Sequence, residues 1–147
     1  MIENKVPTNQ DIENYLKEYG WNYKTTESEN GNVIISPFRL SSNDGVLISF
    51  RVEGEFIVVS TLDFMTELSD KDALTAFALN DTLKLIKVFP ISKDPLCVDV
   101  GFELWAEACS KETFFAFMDM LCLGIETILD KREAKEIVFI PKFVRFQ

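Results

Sequence analysis

The sequence predicts an α+β domain in which one antiparallel sheet packs against helices, in the order α-β-β-β-α-β-β-α. Two short polar separators, at 43–45 and 53–54, divide three β-rich segments in the way that hairpin turns do. A second pair of β-rich segments meets at the turn-forming residues 92–95. Amphipathic helical segments stand before, between and after these groups. We therefore expect a three-plus-two sheet whose two groups are connected by the second helix.

Length and composition fit one globular domain. The chain has 147 residues, 47% of them hydrophobic and 27% charged, and a chain of this size can bury a stable core unaided. We expect a single domain over 1–147, with its core at about 8–132 and an apolar tail at 137–147. The N-terminus lacks the features of a signal peptide, and no segment approaches the ~20 apolar residues of a membrane span. These observations predict a cytoplasmic protein without a membrane partner.

The N-terminal third should contain one helix and three strands. Residues 8–20 predict an amphipathic helix that Thr8 can cap and Gly20 can end. An extended segment at 21–26 should lead into the sheet. The three strands are expected at 33–40, 46–52 and 55–62. Because proline cannot donate to a strand ladder, Pro37 places the first strand at an edge or a bulge.

The middle of the chain should contain a second helix and a hairpin. The helix should begin after Ser69 and run to about Asn80. Its expected buried stripe comprises Leu74, Phe77 and Ala78. The two strands of the hairpin are expected at about 84–91 and 96–108. The second strand alternates in polarity, and its expected core face comprises Val98, Val100, Phe102, Leu104 and Ala106.

The final helix, from Ser110 to about Lys131, is apolar on more of its surface than one core-facing stripe needs. The expected core stripe comprises Phe114, Phe117, Met118, Leu121, Ile125 and Ile128. Outside this stripe lie Phe115, Met120, Cys122 and Leu123. A lone surface helix would carry Lys, Glu or Gln at such positions, so something must cover them.

The C-terminal tail is also strongly apolar. A segment of this composition at 137–146 either packs against its own domain or crosses to a second subunit. Because the surplus apolar surface exceeds what one small sheet can cover, we expect a homodimer. The residues expected in dimer or tail packing are Phe115, Met120, Leu123, Phe139, Phe143 and Phe146.

The chain lacks the residues for most catalytic chemistry. It has no histidine, so it can form neither a Ser-His-Asp nor a Cys-His relay and has no imidazole metal ligand. Cys97, Cys109 and Cys122 are far apart among apolar neighbours, as the buried thiols of a reducing compartment are. The net charge of −9 opposes nucleic-acid binding. We therefore expect no enzymatic activity, no cofactor, no metal and no nucleic-acid partner.

The order of elements resembles a known family. The shared features span about 11–132 and include a first helix ending at Tyr19-Gly20, the three-strand meander, a second helix ending at Leu79-Asn80, the hairpin at Asp94-Pro95 and the long last helix. In these features the chain resembles the YbjN-like family of bacterial sensory transduction regulators. The resemblance implies the fold of type III secretion chaperones, a tendency to dimerise and a role in binding another protein. Cyanobacterial proteins of unknown function share this fold, and the chain is equally compatible with membership among them.

One strand carries a candidate binding surface. Trp105 is expected on the same face as Glu103 and Glu107, and a ring among carboxylates is typical of protein-binding surfaces. The alternative is that the tail or a helix covers this ring. The sequence thus favours a dimeric, non-enzymatic adaptor or chaperone-like factor whose partner is another protein or peptide. The competing class is a carrier of a small apolar ligand, because a concave sheet under a Phe- and Met-rich helix can enclose a pocket.

Overall fold

The helices begin at side-chain caps, as the sequence predicts. The computed structural model describes residues 8–28, 31–39, 44–94 and 96–145. Its helices are α1 (Asn9–Tyr19), α2 (Asp70–Ala78) and α3 (Lys111–Glu133), with 3₁₀ turns at Leu79–Asp81 and Ala106–Ala108. Thr8, Ser69 and Ser110 each accept a backbone N–H of the first helical turn, which would otherwise have no partner.

The strands form one antiparallel sheet, which confirms the predicted α+β class. The strands are β1 (Lys24–Ser28), β2 (Gly31–Arg39), β3 (Asp44–Glu53), β4 (Phe56–Thr61), β5 (Lys87–Lys93), β6 (Leu96–Trp105) and β7 (Phe143–Arg145). Their order across the sheet is β1-β2-β3-β4-β6-β5, and β7 pairs with β3. The sheet therefore has two strands more than the five predicted. The extra strands are β1, formed by the extended segment before the meander, and β7, formed by the tail.

Strand β3 is paired along both of its edges. Strand β2 runs along one edge, while β4 and β7 share the other, at Ile48–Glu53 and Asp44–Val46 respectively. Beyond the end of β4, the isolated bridges Thr66 to Ile140 and Met65 to Val98 continue the pairing towards β6. The C-terminal tail therefore closes the gap that opens where β4 leaves the sheet.

One face of the sheet, called here the inner face, packs against the helices. Its strand residues include Ile34, Val46, Ile48, Phe50, Ile57, Val59, Val98, Val100, Phe102 and Leu104, all buried. Helix α3 buries Phe114, Met118, Leu121, Ile125 and Ile128 in the same core. The Phe114 ring centroid lies 6.2 Å from that of Phe50 and 6.5 Å from that of Phe102. Side chains of the described residues therefore fill the layer in which the sequence suggested an enclosed apolar pocket.

Three local predictions differ from the structure. Helix α2 buries Ala73 and Ala76, whereas Leu74 is 70% exposed, Phe77 is half-buried and Ala78 is exposed. The small alanines let α2 approach the sheet closely, which the larger Leu74 would prevent. Strand β5 begins three residues later than predicted, after Leu85 adopts a left-handed backbone with φ of 67°. Strand β6 ends at Trp105 because the next residues form a 3₁₀ turn.

Pro37 occupies a local edge of the sheet. It lies in β2 opposite Leu47 of β3, and β1 pairs with β2 only as far as Ile35. Beyond Ile35 the β1 side of β2 has no strand partner in the described chain. A residue without an N–H donor is therefore accommodated there without the loss of a ladder hydrogen bond.

Candidate functional site

The face of the sheet opposite the helices is the candidate site, called here the outer face. By register and alternation its residues include Lys24, Thr26, Val33, Ile35, Pro37, Leu47, Ser49, Arg51, Glu53, Phe56, Val58, Ser60, Lys87, Phe89, Gly101, Glu103 and Trp105. The buried residues of α1, α2 and α3 all belong to the core on the inner side. No helix within the described ranges covers the outer face.

Two aromatic side chains stand together on the outer face. Trp105 of β6 lies directly opposite Phe56 of β4 in the antiparallel register. Directly opposed residues project to the same side of a sheet, with Cβ atoms about 5 Å apart. Trp105 is 51% exposed and Phe56 45% exposed. The alternation of the sequence indicates Trp105, but Phe56 follows only from the register of two strands that are not consecutive.

The carboxylates near Trp105 occupy different settings. Glu103 lies on the outer face, where its Oε1 is 3.2 Å from Nζ of Lys87. Glu107 is exposed and lies in the 3₁₀ turn that follows β6, after the Ala106 N–H donates to the Glu55 carbonyl at 2.7 Å. The prediction that Glu107 continues the strand face is therefore wrong. Glu103 and Trp105 share the face, and Glu107 lies beyond its end.

An apolar groove lies at the opposite end of the outer face. It has a volume of about 350 Å³ and is lined by Asn22, Tyr23, Lys24, Thr26, Ile35, Pro37 and Leu47. The ring of Tyr23 and the aliphatic side chains of Ile35 and Leu47 make its wall mostly apolar. Lys24 is exposed at its rim and has no ion-pair partner among the described residues. The groove can therefore accept an apolar group that carries a negative charge beside it.

Small residues form a floor that continues the row of Ile35 across the outer face, at a different level along the strands from the aromatic pair. Ser49, Ser60 and Gly101 lie side by side on β3, β4 and β6, and all three are buried. A Cβ atom at Gly101 would collide with the Val59 carbonyl oxygen, so glycine is required at this position. The Ser49 hydroxyl donates to the Ser60 carbonyl at 3.3 Å. Because this hydroxyl already has a partner within the sheet, covering the floor with another molecule leaves it satisfied.

A buried carboxylate fixes the turn after β4. Asp99 accepts hydrogen bonds from the Thr61 hydroxyl and the Phe64 N–H, both at 2.8 Å, and from the Asp63 N–H. Burial raises the pKa of Asp99, and these hydrogen bonds oppose the rise. Nearby, burial raises the pKa of the Cys97 thiol to about 11. This arrangement holds a loop in place, and no local sequence signal marks it because Asp99 sits at a regular strand position.

Comparison with known proteins identifies the fold. No protein-family model matches the chain, and no curated protein matches it. The crystal structure of YbjN from E. coli superimposes with a TM-score of 0.67 over 94% of this chain and 99% of that chain, at 20% sequence identity. This chain has the YbjN fold. The predicted resemblance is thereby confirmed at the level of fold, and YbjN itself is described as a candidate transcription regulator.

In this chain the YbjN fold ends in a tail that packs on its own domain. Phe139 is 3% exposed, and its ring centroid lies 5.6 Å from that of Phe64. The Arg132 guanidinium stacks on the Phe139 ring and donates from Nε to the Phe139 carbonyl at 2.9 Å. The backbone of Phe143 lies in β7; its side chain, and all of Phe146, lie outside the described part of the structure.

The surplus apolar residues of α3 have different surroundings. Phe115 is half-buried against Tyr19, with ring centroids 5.0 Å apart, and the Tyr19 hydroxyl donates to Asp119. Burial raises the pKa of Cys122 to about 12. Leu123 remains 56% exposed beside half-buried Met120, on a groove of about 270 Å³ that Leu83 and Gly124 also line. Helix α1 therefore covers one side of α3, while the Leu123 side stays open.

The described residues contain neither a cluster that could hold a metal ion nor a helix that could cross a membrane. No three Cys, Asp or Glu side chains within the described ranges lie close enough together to hold a metal ion. None of the helices described is both long enough and apolar enough to cross a bilayer.

Proposed function

We propose that this protein is a non-enzymatic adaptor or chaperone-like factor that binds a segment of another polypeptide on its outer face. The observation that carries the proposal is the exposed Phe56 and Trp105 pair, which stands on a sheet face without a described helix over it. Exposed aromatic residues of this kind are common anchors of protein interfaces. The ion pair of Lys87 with Glu103 supplies a polar rim beside the rings.

The charge of the chain bears on how such a factor would act. YbjN is described as a candidate transcription regulator, and a related role here would run through contact with a protein. A net charge of −9 disfavours direct binding to DNA, since phosphate neutralisation needs clustered lysine and arginine. The partner, in this proposal, carries any nucleic-acid contact. The three free cysteines fit a reducing compartment, and we place the protein in the cytoplasm.

We further propose that the protein is a homodimer through the open side of α3. Leu123 is exposed beside Met120 and Leu83 on one groove, and Leu85 nearby along the chain is also exposed. Burying a few hundred Å² of such surface contributes several kcal/mol at about 25 cal/mol per Å², before the cost of association is subtracted. This surface lies apart from the outer face, so one copy can dimerise and bind a client at the same time.

A small-molecule carrier is the second candidate, and the groove lined by Tyr23, Ile35 and Leu47 favours it. Its volume of about 350 Å³ falls in the lower range of ligand sites. Native mass spectrometry of the purified protein separates the two candidates. A bound apolar molecule, without a captured protein, would favour the carrier.

The adaptor proposal predicts that capture of a partner from native lysate depends on Trp105. Trp105→Ala should weaken capture about thirtyfold, because truncating a central aromatic anchor commonly costs ~2 kcal/mol. Leu74→Ala is the matched control, since Leu74 is 70% exposed but lies on α2, away from the outer face. Circular dichroism checks that both variants fold. Equal recovery of the same partner by wild type and Trp105→Ala would overturn the proposal.

A further inference from the structure

The outer face is charged differently at its two ends. At the groove end, Lys24 is exposed and forms no ion pair among the described residues. At the aromatic end, Glu55 and Glu107 are exposed and likewise form no ion pair among the described residues. The face is therefore positive at the groove and negative beyond Trp105.

The middle of the outer face is close to neutral. Arg51 Nε lies 2.7 Å from Glu53 Oε1, and Lys87 pairs with Glu103 at 3.2 Å. Because these charges compensate one another within the sheet, the unpaired charges at the ends dominate the field that an approaching segment meets. The helices, by contrast, carry ten carboxylates and five cations on the other side of the molecule.

The length of the face matches a short helix. From Lys24 on β1 to Trp105 on β6, the register crosses four strand spacings of about 4.8 Å and then four residues of about 3.3 Å, which is about 23 Å along the diagonal. An α-helix rises 1.5 Å per residue, so a helix of about 14 residues is about 21 Å long and covers most of that distance. Ser49, Ser60 and Gly101 lie in the same row as Lys24 and Ile35, and the row of Arg51, Val58 and Glu103 separates them from the aromatic pair.

We propose that the outer face docks an amphipathic helix of about 14 residues with acidic residues in its first turn and basic residues in its last. Its apolar stripe contacts the groove and the Phe56 and Trp105 rings. Its acidic N-terminus lies over Lys24, and its basic C-terminus lies near Glu55 and Glu107. This order of charges also complements the dipole of the helix itself. The inference rests on the proposed protein-binding function and specifies the partner and its direction.

A display library tests the inference with the full-length protein as bait. Each member is a helix of about 14 residues with a fixed leucine stripe and randomised Asp, Glu, Lys, Arg, Ser and Gln at both ends. Binders are selected at low salt and sorted by whether Trp105→Ala abolishes their binding. We expect the Trp105-dependent binders to be enriched in Asp and Glu at the N-terminal end and in Lys and Arg at the C-terminal end.

Charge reversal provides the matched control. For a selected helix, Lys24→Glu should weaken binding about threefold at low salt, the size expected of an exposed ion pair, while Lys71→Glu on α2 should leave binding unchanged. Trp105-dependent binders with no end preference, or with the reverse one, would overturn the helix inference and leave the protein-binding function standing. A library without any Trp105-dependent binder would overturn both. If Lys24→Glu leaves the affinity of a selected helix unchanged, the proposed direction of the helix on the outer face is wrong.

Discussion

At the scale of single residues, Asp99 shows how one carboxylate can hold a turn. Its donors come from Thr61, Asp63 and Phe64, which are consecutive or nearly so at the end of β4. The Thr61 hydroxyl in turn accepts the Val100 N–H at 3.1 Å, where β4 no longer supplies a partner. A buried amide that loses its acceptor costs about 1–3 kcal/mol, so this turn depends on Asp99.

The raised pKa of Asp99 predicts a pH dependence of stability. Because the folded protein holds this proton more tightly than the unfolded chain does, the Asp99 contribution to the unfolding free energy falls as pH rises from about 3.9, the unfolded pKa, through the raised native value. Asp99→Asn cannot titrate and serves as the reference. Urea unfolding of both proteins between about pH 4 and pH 7 measures this effect. The unfolding free energy of the wild type minus that of Asp99→Asn should decrease as pH rises. A wild-type advantage that grows with pH would contradict the prediction.

At the scale of elements, the tail is held by backbone and side-chain hydrogen bonds at 138–140 and by strand pairing at 143–145. Thr66 and Ile140 exchange backbone hydrogen bonds at 3.0 and 2.9 Å, and the Val138 N–H donates to Asp72 at 3.1 Å. Asp72 is thereby both a first-turn residue of α2 and an acceptor for the tail. The hydrogen bond from the Ser69 hydroxyl, followed by that from the Val138 N–H, lowers the pKa of its carboxyl. The tail therefore links the sheet to α2.

Phe139→Ala should destabilise the protein by about 3–5 kcal/mol, because it removes a buried ring from contact with Phe64 and Arg132. Its neighbour supplies the control. Val138 is 62% exposed, so Val138→Ala should change the unfolding free energy by less than about 0.5 kcal/mol. Denaturant unfolding measures both changes. Equal effects of the two substitutions would show that the tail does not pack as described.

Local signals predicted most of the elements, and pairing over long distances did not follow from them. Capping residues such as Ser110 marked the helix starts, and strict alternation placed Trp105 on an exposed strand face. The three residues of β7 have no periodicity of their own, and their partner β3 is remote in sequence. The stripe of α2 was misassigned because hydrophobicity favours Leu74 while close packing requires Ala76. The position of Phe56 beside Trp105 likewise cannot be predicted from local patterns, because it depends on the register between β4 and β6.

At the scale of the whole molecule, the open side of α3 predicts a homodimer at micromolar concentration. Sedimentation equilibrium should give twice 16.8 kDa for the wild type and a monomer for Leu123→Glu, because a buried unpaired carboxylate opposes association. Leu74→Glu changes a leucine on α2 that is also exposed, at 70% against 56% for Leu123, and should leave the mass unchanged. A wild-type mass of 16.8 kDa would show that the open side of α3 is not an interface.

The pairing of β3 with β7 also affects how the protein folds during its synthesis. The two segments, 44–46 and 143–145, are separated by about a hundred residues, and a ribosome adds about 5–20 residues per second. The first residues of β3 are therefore without their partner β7 for about 5–20 seconds. During that interval its free N–H and C=O groups form a template on which another nascent chain can add a strand. The yield of folded protein thus depends on the pace of translation and on the crowding of ribosomes along one message, as well as on the strength of the finished fold.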